Sequence, residues 1–191
     1  MLVGPIPPNL DLLSNLTYLD LSRNLLVGQI PLKIVSLPKL ATLDLSTNML
    51  VGQIPPKLGF VSSLEYFSLA SNKLEGSIPN ELGQLPSLQY LLLGENNLSG
   101  EFPHSILNRN LSVSLLYLGL ELNMLGKVLP PNIGDLRGLV HLTMSGNMFE
   151  GHIPASLGNA TGLEVIDLSL NNLTGQIPNI FGKFPNLTSL N

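Results

Sequence analysis

The chain has 191 residues, 44% of them hydrophobic but only 5% aromatic and with no tryptophan, so a core must come mainly from aliphatic side chains. Thirteen acidic against nine basic residues give a formal net charge of −4, and with no basic stripe to release counterions from phosphates the composition argues against nucleic acid. The absence of cysteine excludes disulfides and thiolate metal sites, and no apolar run reaches the roughly 18 residues of a membrane span.

Residues 1–15 read as the second half of a repeat: Leu2, Gly4, Ile6 and Pro7 match positions that recur later, with no strand before them. The opening MLVGPIPPNL lacks the charged and apolar regions of a signal peptide. The first whole unit begins at Leu16. In LTYLDLSRN, Leu19 and Leu21 alternate with Tyr18, Asp20 and Ser22, a period of two that predicts a short strand with its leucines facing the core. Asn24 ends that strand, and its amide offers donors and an acceptor to backbone groups that would otherwise be buried unpaired. Gly28 is expected at a positive φ or a close approach, and Ile30-Pro31 closes the segment where a donor is no longer wanted.

That unit is then copied along the chain. Asn24, Asn48, Asn72, Asn96, Asn123, Asn147 and Asn171 follow at steps of 24, 24, 24, 27, 24 and 24 residues. A fixed period of this length predicts a stacked array in which each unit contacts only its neighbours. Full units start at 16, 40, 64, 88, 115, 139 and 163, and a partial one occupies 187–191. One strand per unit predicts one parallel sheet, with irregular or short helical returns on the other side. The longer step places three extra residues in SILNRNLSVS, on the return side. Gly126 falls one position early relative to the other copies, which predicts a turn of different construction there. Both ends fall within repeats, and neither carries a visible polar cap.

The pattern L-x-x-L-x-L-x-x-N-x-L-x-G-x-I-P, with Leu-Gly often following at Leu58-Gly59, Leu82-Gly83 and Leu157-Gly158, resembles the plant-specific class of leucine-rich repeats. The resemblance implies an α/β fold, a right-handed solenoid of about seven full 24-residue repeats with a curved parallel sheet on its concave face. It implies one domain over 1–191, truncated at both ends. By the same resemblance the chain is an ectodomain fragment of a receptor-like kinase or receptor-like protein, lying outside the plasma membrane or in the apoplast. It would bind a peptide or protein and signal through a leucine-rich-repeat co-receptor or a kinase domain, and would meet the membrane only through parts of a longer receptor. The cysteine-paired caps, membrane span and kinase signatures of such receptors are missing from this sequence. A secreted inhibitor of the polygalacturonase-inhibiting type, or a truncated receptor fragment without function, are the alternatives.

No enzyme constellation stands out. His104, His141 and His152 fall on different parts of the repeat without metal-ligand spacing. Asp20, Asp44 and Asp167 share one strand position, but no nucleophile accompanies them. No catalytic residue, metal or cofactor is expected.

Binding is expected on the solvent-facing strand positions. One column reads Tyr18, Thr42, Tyr66, Tyr90, Tyr117, His141, Val165 and holds every tyrosine of the chain. Apolar residues stand beside it, so Tyr66, Tyr90, Leu92, Leu116, Tyr117, Leu122 and His141 form the candidate ligand-binding patch. The bland reading is that tyrosine is a strand-favouring filler that stacks on itself. N-x-[ST] sequons at Asn15, Asn97, Asn110, Asn159, Asn172 and Asn186 are candidate glycosylation sites and point to a secretory history.

Overall fold

The computed structural model describes residues 1–108 and 111–191. Its inner sheet has eight parallel strands in chain order: Tyr18–Asp20, Thr42–Asp44, Tyr66–Ser68, Tyr90–Leu92, Tyr117–Gly119, His141–Thr143, Val165–Asp167 and Ser189–Leu190. Each strand is three residues or fewer, long enough to send one leucine inward and two side chains outward. Along the array the inward residues Leu43, Phe67, Leu91, Leu118 and Leu142 are fully buried. Each such side chain contributes about 1.5–3 kcal/mol by leaving water. This leucine-rich-repeat solenoid with its parallel sheet is the architecture the pattern implies.

The expectation of a single sheet is corrected. A second eight-stranded parallel sheet runs from Val3–Pro5 through Leu25–Gly28, Met49–Gln53, Lys73–Gly76, Asn97–Glu101, Met124–Val128 and Met148–Gly151 to Asn172–Leu173. Its register, with Val51 opposite Lys73 and Gly52 opposite Leu74, is set by stacking of one copy on the next. Each copy therefore supplies two strands. The returns are 3-10 turns such as Leu32–Ser36, Pro56–Phe60, Asn80–Gln84 and Ala155–Asn159.

The ladder asparagines bond to the backbone of two copies at once. Asn96 is buried, its Oδ1 accepts the Leu74 N–H at 3.0 Å, and its Nδ2 lies 3.0 Å from the Leu69 carbonyl and 3.2 Å from that of Leu93. Asn123 repeats the pattern, taking the Leu98 N–H at 3.0 Å and donating to the Leu93 carbonyl at 3.0 Å. Each such carbonyl thus accepts from its own copy's amide and from the next, and the ladder stitches copies together through their backbones.

Glycine is required at two positions of the repeat. Gly28 has a φ of 83°, a region where side chains are strained. Gly59 and Gly83 lie in the 3-10 turns, where a Cβ would overlap the Glu81 and Ser105 carbonyls of the following copy. The recurring Leu-Gly therefore lets successive turns stack backbone to backbone.

The turn near Gly126 is not rebuilt. Gly126 pairs with Met148 and Lys127 with Phe149, in the same 22-residue register that holds elsewhere in this sheet. The backbone keeps its left-handed residue four places after the asparagine, and Lys127 adopts it with a φ of 67°. Neighbouring copies fix the path, and the lysine conforms.

The insertion lies on the return side, as expected, and carries the short α-helix Leu111–Ser114. Asn108 caps it: its Oδ1 accepts the Leu111 N–H at 3.0 Å, and its amide donates to the Gly83 carbonyl of the preceding copy. Toward the chain ends the core opens. Leu19 and Leu21 are only partly buried, whereas their counterparts Leu43 and Leu45 are wholly so.

Candidate functional site

The outward positions of the inner sheet are aligned by strand pairing. Tyr18, Thr42, Tyr66, Tyr90, Tyr117, His141 and Val165 are successive Cα partners. Pairing in register brings rings from different copies together. The Tyr66 and Tyr90 centroids lie 5.6 Å apart, those of Tyr90 and Tyr117 6.5 Å, and those of Tyr117 and His141 4.9 Å with planes only 4° apart. These are the separations of favourable aromatic pairs. The rings are half-buried, so the stack uses part of each ring and leaves the rest facing outward.

Leu92 occupies the next outward column, between Ser68 and Gly119. A Cβ on Gly119 would lie 3.3 Å from Leu92 Cδ2 and 3.3 Å from Tyr117 Cε1, so Leu92 and Tyr117 share the space that Gly119 vacates. Leu116 stands at the margin where the strand begins, half-buried. Leu122 stands apart. It lies beyond the strand in a left-handed turn with a φ of 53°, 52% exposed and packed over Gly146. The structure thus brings Tyr66, Tyr90, Leu92, Tyr117 and His141 into one strip, with Leu116 at its edge and Leu122 on the rim.

The shared aspartates have a local role. Asp20, Asp44 and Asp167 each accept the backbone N–H two residues on, from Ser22, Ser46 and Ser169, at 2.9, 2.9 and 3.0 Å. These bonds close the strand ends. Hydrogen bonds from Ser22 hold the Asp20 carboxyl below its usual range. Burial, and next the charge of Asp44, push the Tyr66 phenol above its ordinary value.

Two residues of this face lay outside the expected patch. Glu95 accepts from the Ser71 hydroxyl at 2.7 Å and Glu121 from that of Thr143 at 2.7 Å. The Glu121 carboxyl lies where a side chain on Gly94 would stand. Their signal in the sequence was position alone, one and two places before a ladder asparagine.

The remaining expectations fall elsewhere. His104 opens a 3-10 turn, and His152 Nδ1 lies 3.0 Å from the Thr174 carbonyl oxygen, just past the ends of two second-sheet strands. Among the described residues no cluster of His, Cys, Asp or Glu could hold a metal ion, and no helix is long and apolar enough to cross a membrane. Asn15, Asn97, Asn159, Asn172 and Asn186 are exposed; Asn110 lies outside the described residues.

Comparison with known proteins fits the geometry. A leucine-rich-repeat family model matches residues 52–98, and a single-repeat model matches residues 15–37, 138–160 and 162–184. No curated protein matches in sequence. Among solved structures, a TDR receptor superposes with a TM-score of 0.95 at 32% identity, over 98% of this chain and 32% of its own. The Arabidopsis receptor kinase HAESA, in complex with the peptide hormone IDA and the co-receptor SERK1, gives 0.93 at 34% identity, over 99% of this chain and 31% of its own. A plant ice-binding protein gives 0.71 at 28% identity, over 95% and 65%, which shows that the scaffold alone does not fix the activity. The chain spans about a quarter to a third of the length of the first receptor ectodomains it matches. Repeat pattern, ladder, paired sheets and these matches agree: the chain belongs to the leucine-rich-repeat proteins.

Proposed function

We propose that the chain is a ligand-recognition module of a plant cell-surface receptor, binding a peptide or protein segment along the inner sheet. The observation that carries this reading is the registered strip Tyr66, Tyr90, Tyr117 and His141 with Leu92 beside it. It is an aromatic and apolar surface left facing outward on a rigid sheet. The complex of HAESA with a peptide hormone and a co-receptor supports a second partner, a co-receptor that also carries leucine-rich repeats. On this reading the module acts outside the plasma membrane, and the exposed sequon asparagines carry glycans. It catalyses nothing itself. Signalling belongs to a partner or to a longer receptor, of the kinase or the kinase-less kind.

The test is selection of a displayed random-peptide library on the folded chain, followed by titration of the selected peptides against Tyr90→Ser/Tyr117→Ser. Loss of roughly tenfold or more in affinity is expected, on the scale of two truncated aromatic contacts. Equal binding by a folded double variant would remove this strip as the binding surface.

A further inference from the structure

The inner face is acidic as well as aromatic. Asp20, Asp44, Glu65, Glu95, Glu121 and Asp167 all occupy its outward or marginal columns, and these are already nearly half of the thirteen acidic residues of the chain. Basic residues avoid it. Lys33, Lys57 and Lys183 lie on the 3-10 turns, Lys73 and Lys127 on the second sheet, and among the described residues only Arg23 sits at the inner face. The ion pair found among the described residues, Lys33 with Asp11 at 2.6 Å, is on the return side.

Glu95 and Glu121 sharpen the point. The Glu95 N–H donates to the Glu121 carbonyl at 2.8 Å, so the two acids stand on adjoining copies. Each carboxylate is held by a neutral hydroxyl and, among the described residues, neither by a cation. With Asp20, Asp44 and Asp167 on the same face, these two acids on adjoining copies add to a negative potential at its surface. The aromatic strip runs alongside, half-buried by its own stacking, and its outward parts offer apolar and hydroxyl contact to a bound chain. At the other end of the strip, burial and then the charge of Asp44 raise the Tyr66 phenol above its ordinary value. A divalent metal is not the occupant these groups fit, since no suitable ligand cluster exists among the described residues.

We infer that the inner sheet takes an extended peptide segment rich in arginine or lysine, its cationic groups meeting Glu95 and Glu121 while its remaining contacts lie on Leu92 and the tyrosine rings. This rests on the concave-face reading above and adds the chemical class of the ligand. The carboxylates supply charge and orientation, already fixed by Ser71 and Thr143, and the rings supply stacking area.

The experiment uses three fluorescent peptides that alternate alanine with arginine, glutamine or glutamate, titrated by anisotropy into the full chain. The arginine peptide is expected to bind roughly tenfold or more tighter than the glutamine peptide, the glutamate peptide weakest, with affinity falling as salt shortens the Debye length below about 10 Å. Glu95→Gln/Glu121→Gln should lose roughly tenfold for the arginine peptide, as should Tyr90→Ser/Tyr117→Ser. Glu75→Gln/Glu101→Gln, which removes two acids from the second sheet, should not change it. Circular dichroism and a cooperative melt establish that each variant is folded. Equal affinity for all three peptides, or equal loss from the second-sheet variant, overturns the inference. Binding of the neutral or acidic peptide that depends on Tyr90 and Tyr117 but not on Glu95 and Glu121 would keep the concave-face reading and overturn this one. Binding indifferent to both pairs would overturn both.

Discussion

Replacing Asn96 with alanine tests how the array is held together. Asn96 accepts the Leu74 N–H at 3.0 Å and donates toward the Leu69 and Leu93 carbonyls at 3.0 and 3.2 Å. Those carbonyls do not lose every partner: Leu69 keeps the Asn72 amide at 3.1 Å and Leu93 keeps that of Asn123 at 3.0 Å. The Leu74 N–H has no such second partner in the ladder and is buried with Leu74. Leaving it bare costs about 1–3 kcal/mol, and two lost amide bonds add about 1 kcal/mol each. Asn96→Ala should therefore lower stability by about 3–5 kcal/mol in urea denaturation. Asn24→Ala, at a more open site where Oδ1 accepts only the exposed Leu2 N–H at 2.6 Å and the amide donates to the Leu21 and Ser22 carbonyls at 3.1 and 2.9 Å, should lose less, about 2 kcal/mol. Asn96→Asp should be worse than alanine, because a carboxylate would face the carbonyls that now accept from the amide. A loss below about 1 kcal/mol for Asn96→Ala, or one equal to that of Asn24→Ala, would show that the ladder does not hold the copies together.

Other consequences follow from single contacts. Gly83→Ala should destabilise by about 2 kcal/mol, because its Cβ would meet the Ser105 carbonyl; an unchanged melting temperature would count against stacked turns. Lys127→Gly should stabilise by about 0.5–1 kcal/mol, since glycine carries the left-handed φ of 67° without the Cβ penalty, and a destabilised variant in urea would show the turn is held otherwise. Tyr66, whose phenol is held above its ordinary value by burial, resists deprotonation in the folded state more than in the unfolded state. Stability from this group is full below about pH 10 and is lost as pH rises through the folded value. Tyr66→Phe should flatten that alkaline decline; an identical decline in both proteins would show that the ring is not shielded.

The period, the core and the asparagine ladder were legible because each reflects a constraint that every copy must meet. A buried backbone polar group needs a partner, and an amide side chain placed once per copy supplies it. The second sheet was not legible. Each of its strands sends inward little more than one residue, such as Leu50 or Leu74, so alternation is too short to read, and the pairing comes from stacking. Gly126 misled for a related reason: register with Met148 fixes the backbone, and Lys127 bears the strain in place of a glycine. The tyrosine column was legible from spacing, since parallel strands in register convert a 24-residue period into adjacency. The acids were not, because the carboxyl of Glu121 reaches across only where Gly94 of the preceding copy has no side chain.

The four tyrosines allow the most direct test of the central claim, because all lie in one column of the inner sheet and at different places along it. Ring-selective 13C labelling of tyrosine yields one reporter each for Tyr18, Tyr66, Tyr90 and Tyr117, followed while a peptide selected on the folded chain is added. Saturable shifts are expected for Tyr66, Tyr90 and Tyr117, with Tyr18 nearly unmoved. A peptide that binds with all four signals in place, or moves Tyr18 alone, would contradict it.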